Sequence, residues 1–161
     1  MTKLRAALGS VVFLAVAPGV VAGLIPYWLT QWESSDPPVP LVVIGAILVV
    51  AGTAVLLRAF ARFAFEGVGT PAPVAPTERL VIGGAYRYVR NPMYLAVGSV
   101  ILGQALLLGR AVLLAYLAVF GLAVEAFVRL YEEPTLAGRY GDEYQRYRED
   151  VPRWLPQFRK R

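Results

Sequence analysis

Cysteine and histidine are both absent from this sequence of 161 residues. Without cysteine the chain has no disulfide, no thiolate nucleophile and no cysteine metal site. Without histidine it lacks the commonest general base and the commonest metal ligand of proteins. Any chemistry must therefore depend on Glu, Asp, Arg, Tyr and Asn side chains or on a cofactor, and we predict no bound metal.

Charged residues are scarce and unevenly placed. They make up 17% of the chain, against 57% hydrophobic residues, and they cluster in residues 58–90 and 129–161. A mean hydropathy of +0.54 is too high for an ordinary soluble domain. The net charge of +5 could suggest nucleic acid, but the basic residues flank apolar runs. We therefore expect a lipid bilayer as the partner, and no nucleic acid.

Four apolar runs organise the chain, and each is about 17–25 residues long, the length that a membrane helix needs. Backbone groups in lipid must bond internally, so these runs predict helices. The first run could also be a secretory signal peptide, but it continues past Pro18 and favours a membrane span. The fold class is therefore all-α, a multi-pass membrane protein of about four transmembrane helices with a C-terminal amphipathic helix. The four runs are Val11–Leu29, Val39–Phe60, Pro92–Leu108 and Ala111–Leu130.

The loops between these runs differ in charge. The segment 30–40 contains two acidic residues and no basic one, whereas the segment 61–91 contains four arginines and the tail after Leu130 contains seven basic residues. The positive-inside rule then places both termini and the 61–91 loop in the cytoplasm. We predict a multi-pass protein of the plasma (inner) membrane.

A turn of two residues, Gly109 and Arg110, joins the third and fourth runs. Such a short connection predicts an antiparallel helical hairpin. The stretch "RYVRNPMYL" (87–95) should then lie beside the stretch "EAFVRLYEEPTL" (125–136), at the cytoplasmic end of the hairpin.

Acidic side chains follow one face of the fourth run. At 100° per residue, Glu125, Arg129 and Glu132 fall within about 60° of one another. We interpret Glu125 and Arg129 as a structural ion pair, because a carboxylate inside the membrane needs a partner. Glu132 and Glu133, at the interface and facing an Arg/Tyr/Asn cluster, predict a site for a cationic ligand. Pro134 should kink or end the helix.

The start of the third run offers complementary groups. Asn91 is a favoured N-cap and Pro92 a favoured first helical residue. The free N–H groups of a helix start also suit a carboxylate, and Tyr86, Tyr88 and Tyr94 could stack on an aromatic ring or face a cation. S-adenosylmethionine, which is zwitterionic, aromatic and a sulfonium, would satisfy all these groups. An acidic or basic lipid headgroup could use the same ones.

Two ordered blocks of sequence resemble a known family. "ERLVIGGAYRYVRNPMYL" (78–95) and "EEPTLAGRYGDEYQRYREDVPRWLP" (132–156) resemble the integral-membrane isoprenylcysteine carboxyl methyltransferase and phospholipid methyltransferase family. The resemblance covers about half of the chain. It implies an S-adenosylmethionine-dependent methyltransferase that acts at the cytoplasmic face on a lipophilic or small membrane-partitioned acceptor.

Carried over position by position, the resemblance also implies the site residues. Asn91 replaces the histidine that is usual in the family, and Val128 stands where the family tends to carry an arginine, with Arg129 one position further. Glu133 or Tyr88 could take a proton from an amine or phenol acceptor, and Arg129 could act on the substrate. The implied cofactor contacts are Leu80, Val81, Tyr86, Arg90, Asn91, Pro92, Met93, Tyr94 and Glu132.

The tail has a local pattern of its own. Asp142 can cap a short helix that runs to about Asp150. Tyr144, Tyr147 and Val151 fall on one face of that helix, with charges on the other. This pattern predicts an interfacial amphipathic helix, which either covers the cofactor or lies on lipid.

We predict one domain over residues 1–161. The Pro-rich stretch "GTPAPVAP" (69–76) is either a linker or part of a cofactor lid. Two other functions stay open: a membrane reductase of the steroid-reductase type that uses NADPH, although no Gly-rich phosphate loop is present, and a non-catalytic membrane module. The predicted parts of the domain are two N-terminal transmembrane helices (1–60), a cytoplasmic cofactor loop (61–91), a helical hairpin (92–130) and a cytoplasmic tail that completes the site (131–161).

Overall fold

The structure, a computed structural model, describes residues 3–65 and 79–158 and is all-helical over that part of the chain, without a strand. A π-helical turn, Val20–Leu24, joins α1 to α2, and a second one, Val128–Glu132, joins α5 to α6. A 3-10 turn at Gly84–Arg87 precedes α4. The all-α prediction is confirmed, while the Pro-rich stretch 69–76 lies outside the described residues. The α-helices are α1 Lys3–Gly19, α2 Ile25–Thr30, α3 Val39–Phe65, α4 Pro92–Leu108, α5 Ala111–Phe127, α6 Glu133–Tyr140 and α7 Asp142–Asp150.

The apolar runs form the predicted spans. Three stretches of the described helices are long and apolar enough to cross a membrane, namely Val11–Thr30, Val39–Arg62 and Ala111–Tyr140. The shorter apolar helix Pro92–Leu108 lies between the last two along the chain, with the bounds that the sequence predicts. The chain is therefore a multi-pass membrane protein.

The fourth span is longer than predicted, because Pro134 does not end it. The helix passes through the π-helical turn Val128–Glu132 and continues to Tyr140. A π-helical turn adds a residue to the helix and shifts the preceding carbonyls. The proline ring therefore does not stop the helix as it would in a regular α-helix.

The first π-helical turn also precedes a proline, Pro26, and leaves two carbonyl groups to be satisfied by other helices. Proline has no N–H to donate to the carbonyl of Ala22, four residues earlier. Gln104 Nε2 of α4 donates to Ala22 O at 2.6 Å, and the Tyr116 hydroxyl of α5 donates to Val21 O at 2.7 Å. These two bonds tie the first span to the hairpin inside the membrane.

We expect removal of either bond to destabilise the bundle. Gln104→Leu and Tyr116→Phe should each lower the free energy of unfolding by about 1 kcal/mol, the usual size for a hydrogen bond between membrane helices. The midpoint of denaturant unfolding in detergent micelles measures the change. Tyr27→Phe is the matched control, because no partner of the Tyr27 hydroxyl occurs among the described residues. Equal midpoints for all three variants would contradict this account.

Helices α3 and α4 pack antiparallel through glycines. A Cβ atom on Gly45 would lie 2.5 Å from Gly103 O, and one on Gly103 would lie 2.6 Å from Gly45 O. Seven residues along α3, a Cβ on Gly52 would lie 2.8 Å from Ala96 O. The two backbones therefore touch, which small residues alone permit.

The turn between α4 and α5 is the predicted tight connection. Gly109 has a positive φ of 64° and ends α4, a backbone conformation that favours glycine. The loop between α2 and α3 covers this end, because Ser35 N donates to Leu108 O at 2.9 Å and Ser35 Oγ donates to Gly109 O at 2.8 Å. The hairpin thus brings the start of α4 next to the end of α5.

Helix α7 ends at Asp150 as predicted, but Asp142 is not its cap. Gly141 occupies the cap position with a φ of 52°, and Asp142 is the first helical residue. The predicted face of α7 packs against the rest of the protein, since Tyr144 and Val151 are buried and the Tyr147 hydroxyl donates to Tyr86 O at 2.8 Å.

Candidate active site

A cavity of about 440 Å³ lies at the end of the bundle where α3 ends and α4 begins. Every α-helix except α2 contributes to its lining. Along α4 the lining passes from Asn91 to Val97, and along the fourth span it passes from Glu132 back to Phe120. The cavity therefore has a polar end at the start of α4 and an apolar end that reaches deeper into the spans. Its apolar end is lined by Phe13, Ala17, Val21, Leu56, Val97 and Phe120.

The structure brings Asn91 and Glu132 to the same cavity, as the hairpin geometry predicts. Between them, the Tyr94 hydroxyl donates to Glu132 Oε2 at 2.9 Å. This bond joins the first turn of α4 to the end of the π-helical turn in the fourth span. The two sequence blocks thus meet through side chains that line the cavity.

The two neighbouring carboxylates have different partners. Glu133 is buried and pairs with Arg90 Nη1 at 2.8 Å and with Arg153 Nη2 at 2.8 Å. Glu132 accepts a hydrogen bond from the neutral phenol of Tyr94, and no cation pairs with it within the described ranges. Glu132 is therefore the carboxylate with an unmatched charge beside the cavity.

Three tyrosines at the polar end keep their phenol groups neutral. Burial raises the pKa of Tyr86, Tyr144 and Tyr147 above the ordinary value of a phenol, because low dielectric disfavours the phenolate. They line the cavity as aromatic surfaces with hydroxyl groups. Tyr144 and Tyr147 are residues that the sequence did not single out for the site, although their shared helix face was a signal.

Asn91 occupies the N-cap position of α4 without capping it through its side chain. Its Nδ2 donates instead to Arg153 O at 3.3 Å. Asn91 is therefore the N-cap residue, as predicted, but its amide turns toward the C-terminal segment rather than toward the first turn of α4. Pro92, the first residue of α4, is buried but does not line the cavity.

Most of the predicted cofactor contacts converge on the cavity. With Pro92 set aside, all the predicted residues contribute to its lining, and they come from the loop before α4, the first turn of α4 and the fourth span. They are Leu80, Val81, Tyr86, Arg90, Asn91, Met93, Tyr94 and Glu132.

Two residues with a predicted catalytic role lie outside the lining. Tyr88 is 39% exposed and its ring packs against Phe158 at 5.3 Å between centroids. The Arg129 side chain is 62% exposed and pairs with Glu125, as the sequence predicts for that ion pair. Neither Tyr88 nor Arg129 faces the cavity, so the geometry does not favour their catalytic roles.

Glu133, the third predicted catalytic residue, lines the cavity, but both of its oxygens already accept hydrogen bonds from arginines. Arg90 donates to Oε1, and Arg153 donates to Oε1 at 2.9 Å and to Oε2 at 2.8 Å. A carboxylate that already accepts from two guanidiniums is a poor proton acceptor. Arg153 itself was missed by the sequence reasoning, because nothing local shows that the C-terminal segment returns to the fourth span.

Comparisons with known proteins agree with this architecture. A family model described as phospholipid methyltransferase matches residues 41–143. A protein of Haemophilus influenzae, described as an uncharacterized protein, is 36% identical over 63 residues, which cover 39% of this chain and all of that protein. No solved structure matches the chain significantly. The matched range includes α4, α5 and both carboxylates of the cavity, and it gives no support to a reductase or a non-catalytic module.

Proposed function

Because the chain belongs to the phospholipid methyltransferase family and is therefore a membrane methyltransferase, we propose that it uses S-adenosylmethionine to methylate a lipophilic or small membrane-partitioned acceptor. The observation that carries this proposal is Glu132. Its charge is unmatched by any cation in the described residues, and it stands beside a cavity with aromatic walls. Such a carboxylate suits a ligand with a positive charge.

The donor set of the polar end fits that cofactor. Glu132 would face the sulfonium, and the N–H groups at the start of α4 would hold the carboxylate. Tyr86, Tyr144 and Tyr147 would contact the adenine ring. When bound, S-adenosylmethionine supplies a methyl group on a sulfonium sulfur, and the sulfur keeps the electron pair of the broken bond. The residues of the chain would align the two reactants and exclude water.

The apolar end of the cavity supports a membrane-partitioned acceptor. The apolar part of the helices surrounds this end, through Phe13, Val21, Leu56 and Phe120. The acceptor's reactive atom would point to the polar end and its apolar part would lie among these side chains. The charges of the loops favour an orientation in which the polar end of the cavity and both termini lie on the cytoplasmic side of the inner membrane.

Whether the reaction needs a group to take a proton depends on the chemical class of the methyl acceptor. A carboxylate acceptor attacks the methyl group without losing a proton. An amine acceptor must lose one, and Glu132 is the lining carboxylate whose oxygens accept from no guanidinium. We therefore assign this task to Glu132 or to solvent rather than to Glu133.

Titration of the purified protein in detergent tests the cofactor. We expect S-adenosylmethionine and S-adenosylhomocysteine to bind with micromolar dissociation constants by calorimetry, and NADPH not to bind. Binding of NADPH alone would instead support a reductase, and binding of none of the three would leave a non-catalytic module. Comparison of methylated lipids with and without the protein then identifies the acceptor.

A further inference from the structure

The last described segment, residues 151–158, runs along the loop before α4, and we call it the C-terminal strap. Arg90 N donates to Pro152 O at 2.9 Å, and Gln157 N donates to Tyr88 O at 3.0 Å. Together with the bond from Asn91 Nδ2 to Arg153 O, these contacts attach the strap to the residues that immediately precede α4.

The strap also reaches the fourth span. Trp154 Nε1 donates to Glu125 Oε2 at 2.5 Å, and Arg153 Nη1 lies 3.5 Å from Glu125 Oε1. The guanidinium of Arg153 donates to both oxygens of Glu133. This bidentate geometry strengthens the ion pair and fixes the orientation of the two side chains. One segment therefore holds the two halves of the cavity together.

These contacts set the charge of the polar end. Two carboxylates stand next to each other in sequence, and both line the cavity. Arg90 and Arg153 together engage both oxygens of Glu133, so Glu132 alone of the two has no guanidinium beside it in the part of the chain that the structure describes. Without Arg153, Glu133 would keep Arg90 at Oε1, and its Oε2 would be open to compete with Glu132 for a cation.

We propose that Arg153 is a positioning residue, which occupies both oxygens of Glu133 and so leaves Glu132 as the carboxylate that receives the positive charge of the methyl donor. This inference rests on the proposed function. It adds to that function a residue of the strap, beyond the range 41–143 that the family model matches.

The affinity ratio of two ligands measures the effect. S-adenosylmethionine carries a positive sulfonium, whereas S-adenosylhomocysteine has a neutral sulfur in an otherwise similar molecule. The dissociation constant of the second divided by that of the first therefore reports the charge around the sulfur. A general loss of structure weakens both ligands and leaves the ratio unchanged.

Two substitutions that break the same ion pair should move this ratio in opposite directions. Arg153→Gln removes a positive charge and should raise the ratio about fivefold. Glu133→Gln frees the guanidiniums of Arg90 and Arg153 to pair with Glu132, and should lower the ratio by about the same factor. Arg153→Lys keeps the charge but reaches one oxygen, so its ratio should lie between those of the wild type and Arg153→Gln.

Arg146→Gln is the matched control. Arg146 is exposed on α7, and its side chain bonds the Asp142 carbonyl rather than the cavity. Solvent screens an exposed charge at this position, so the ratio should stay within about twofold of the wild type.

The outcomes separate the two proposals. A wild-type protein that binds neither ligand overturns the proposed function, and the inference falls with it. A wild-type protein that binds both, with ratios that stay constant or move together in Arg153→Gln and Glu133→Gln, overturns the inference alone. If Arg153→Gln does not fold, Glu133→Gln and Arg153→Lys decide, and an unchanged ratio in Glu133→Gln overturns the inference.

Discussion

Glu132→Gln should weaken the binding of S-adenosylmethionine by roughly 10–100-fold. The substitution keeps the shape of the side chain and an acceptor for the Tyr94 hydroxyl, so that the cavity keeps its geometry. It removes the charge that faces the cation, and a pair of unit charges in a partly desolvated site interacts far more strongly than in water. Calorimetric titration of the variant in detergent measures the loss.

The neutral analogue and a matched variant make the result specific. S-adenosylhomocysteine has no sulfonium, so its affinity should change less than about threefold in Glu132→Gln. Glu143→Gln removes the same charge from the exposed face of α7 and should bind both ligands as the wild type does. Equal losses for the two ligands would contradict a direct interaction of Glu132 with the sulfonium.

Gly103→Ala should strongly destabilise the packing of α3 against α4. Its Cβ would lie 2.6 Å from Gly45 O and 2.9 Å from Val49 N, and neither backbone atom can move without its helix. Helices α3 and α4 must then separate, and the lining residue Leu56 of α3 must move away from α4. We expect a loss of about 2–3 kcal/mol in the free energy of unfolding.

Gly121→Ala is the matched control for that prediction. A Cβ on Gly121 would meet nothing within 4 Å, and alanine favours a helix over glycine by about 1 kcal/mol. The control should therefore be neutral or slightly stabilising, whereas Gly103→Ala lowers the unfolding midpoint. The same midpoint for both variants would contradict the close approach of α3 and α4.

Local sequence patterns predict much of the fold. The run Pro92–Leu108 has the predicted bounds because Pro92 starts a helix well and Gly109 ends one. The turn Gly109–Arg110 is too short for any connection other than a hairpin. From these two features follows the meeting of Asn91 and Glu132, which needs no long-range information beyond helix length.

Other features depend on tertiary packing and could not be predicted. The helix continues past Pro134 because a π-helical turn precedes the proline and accommodates its missing N–H group. No local sequence pattern predicts that turn. Tyr88 lies in the same polar block as Tyr86, but the 3-10 turn directs one ring to Phe158 and the other to the cavity. The position of Arg153 depends on the path of the strap, which the sequence does not show.

Cross-linking of the methyl donor to the protein by ultraviolet light tests the shared cavity most directly. Irradiation with methyl-labelled S-adenosylmethionine, followed by peptide mapping, should place the label in residues 86–94, in residues 132–147 or in both. An excess of S-adenosylhomocysteine should remove it. Label that stays in the presence of the competitor, or that falls only on other parts of the chain, would contradict a methyl-donor site between Asn91 and Glu132.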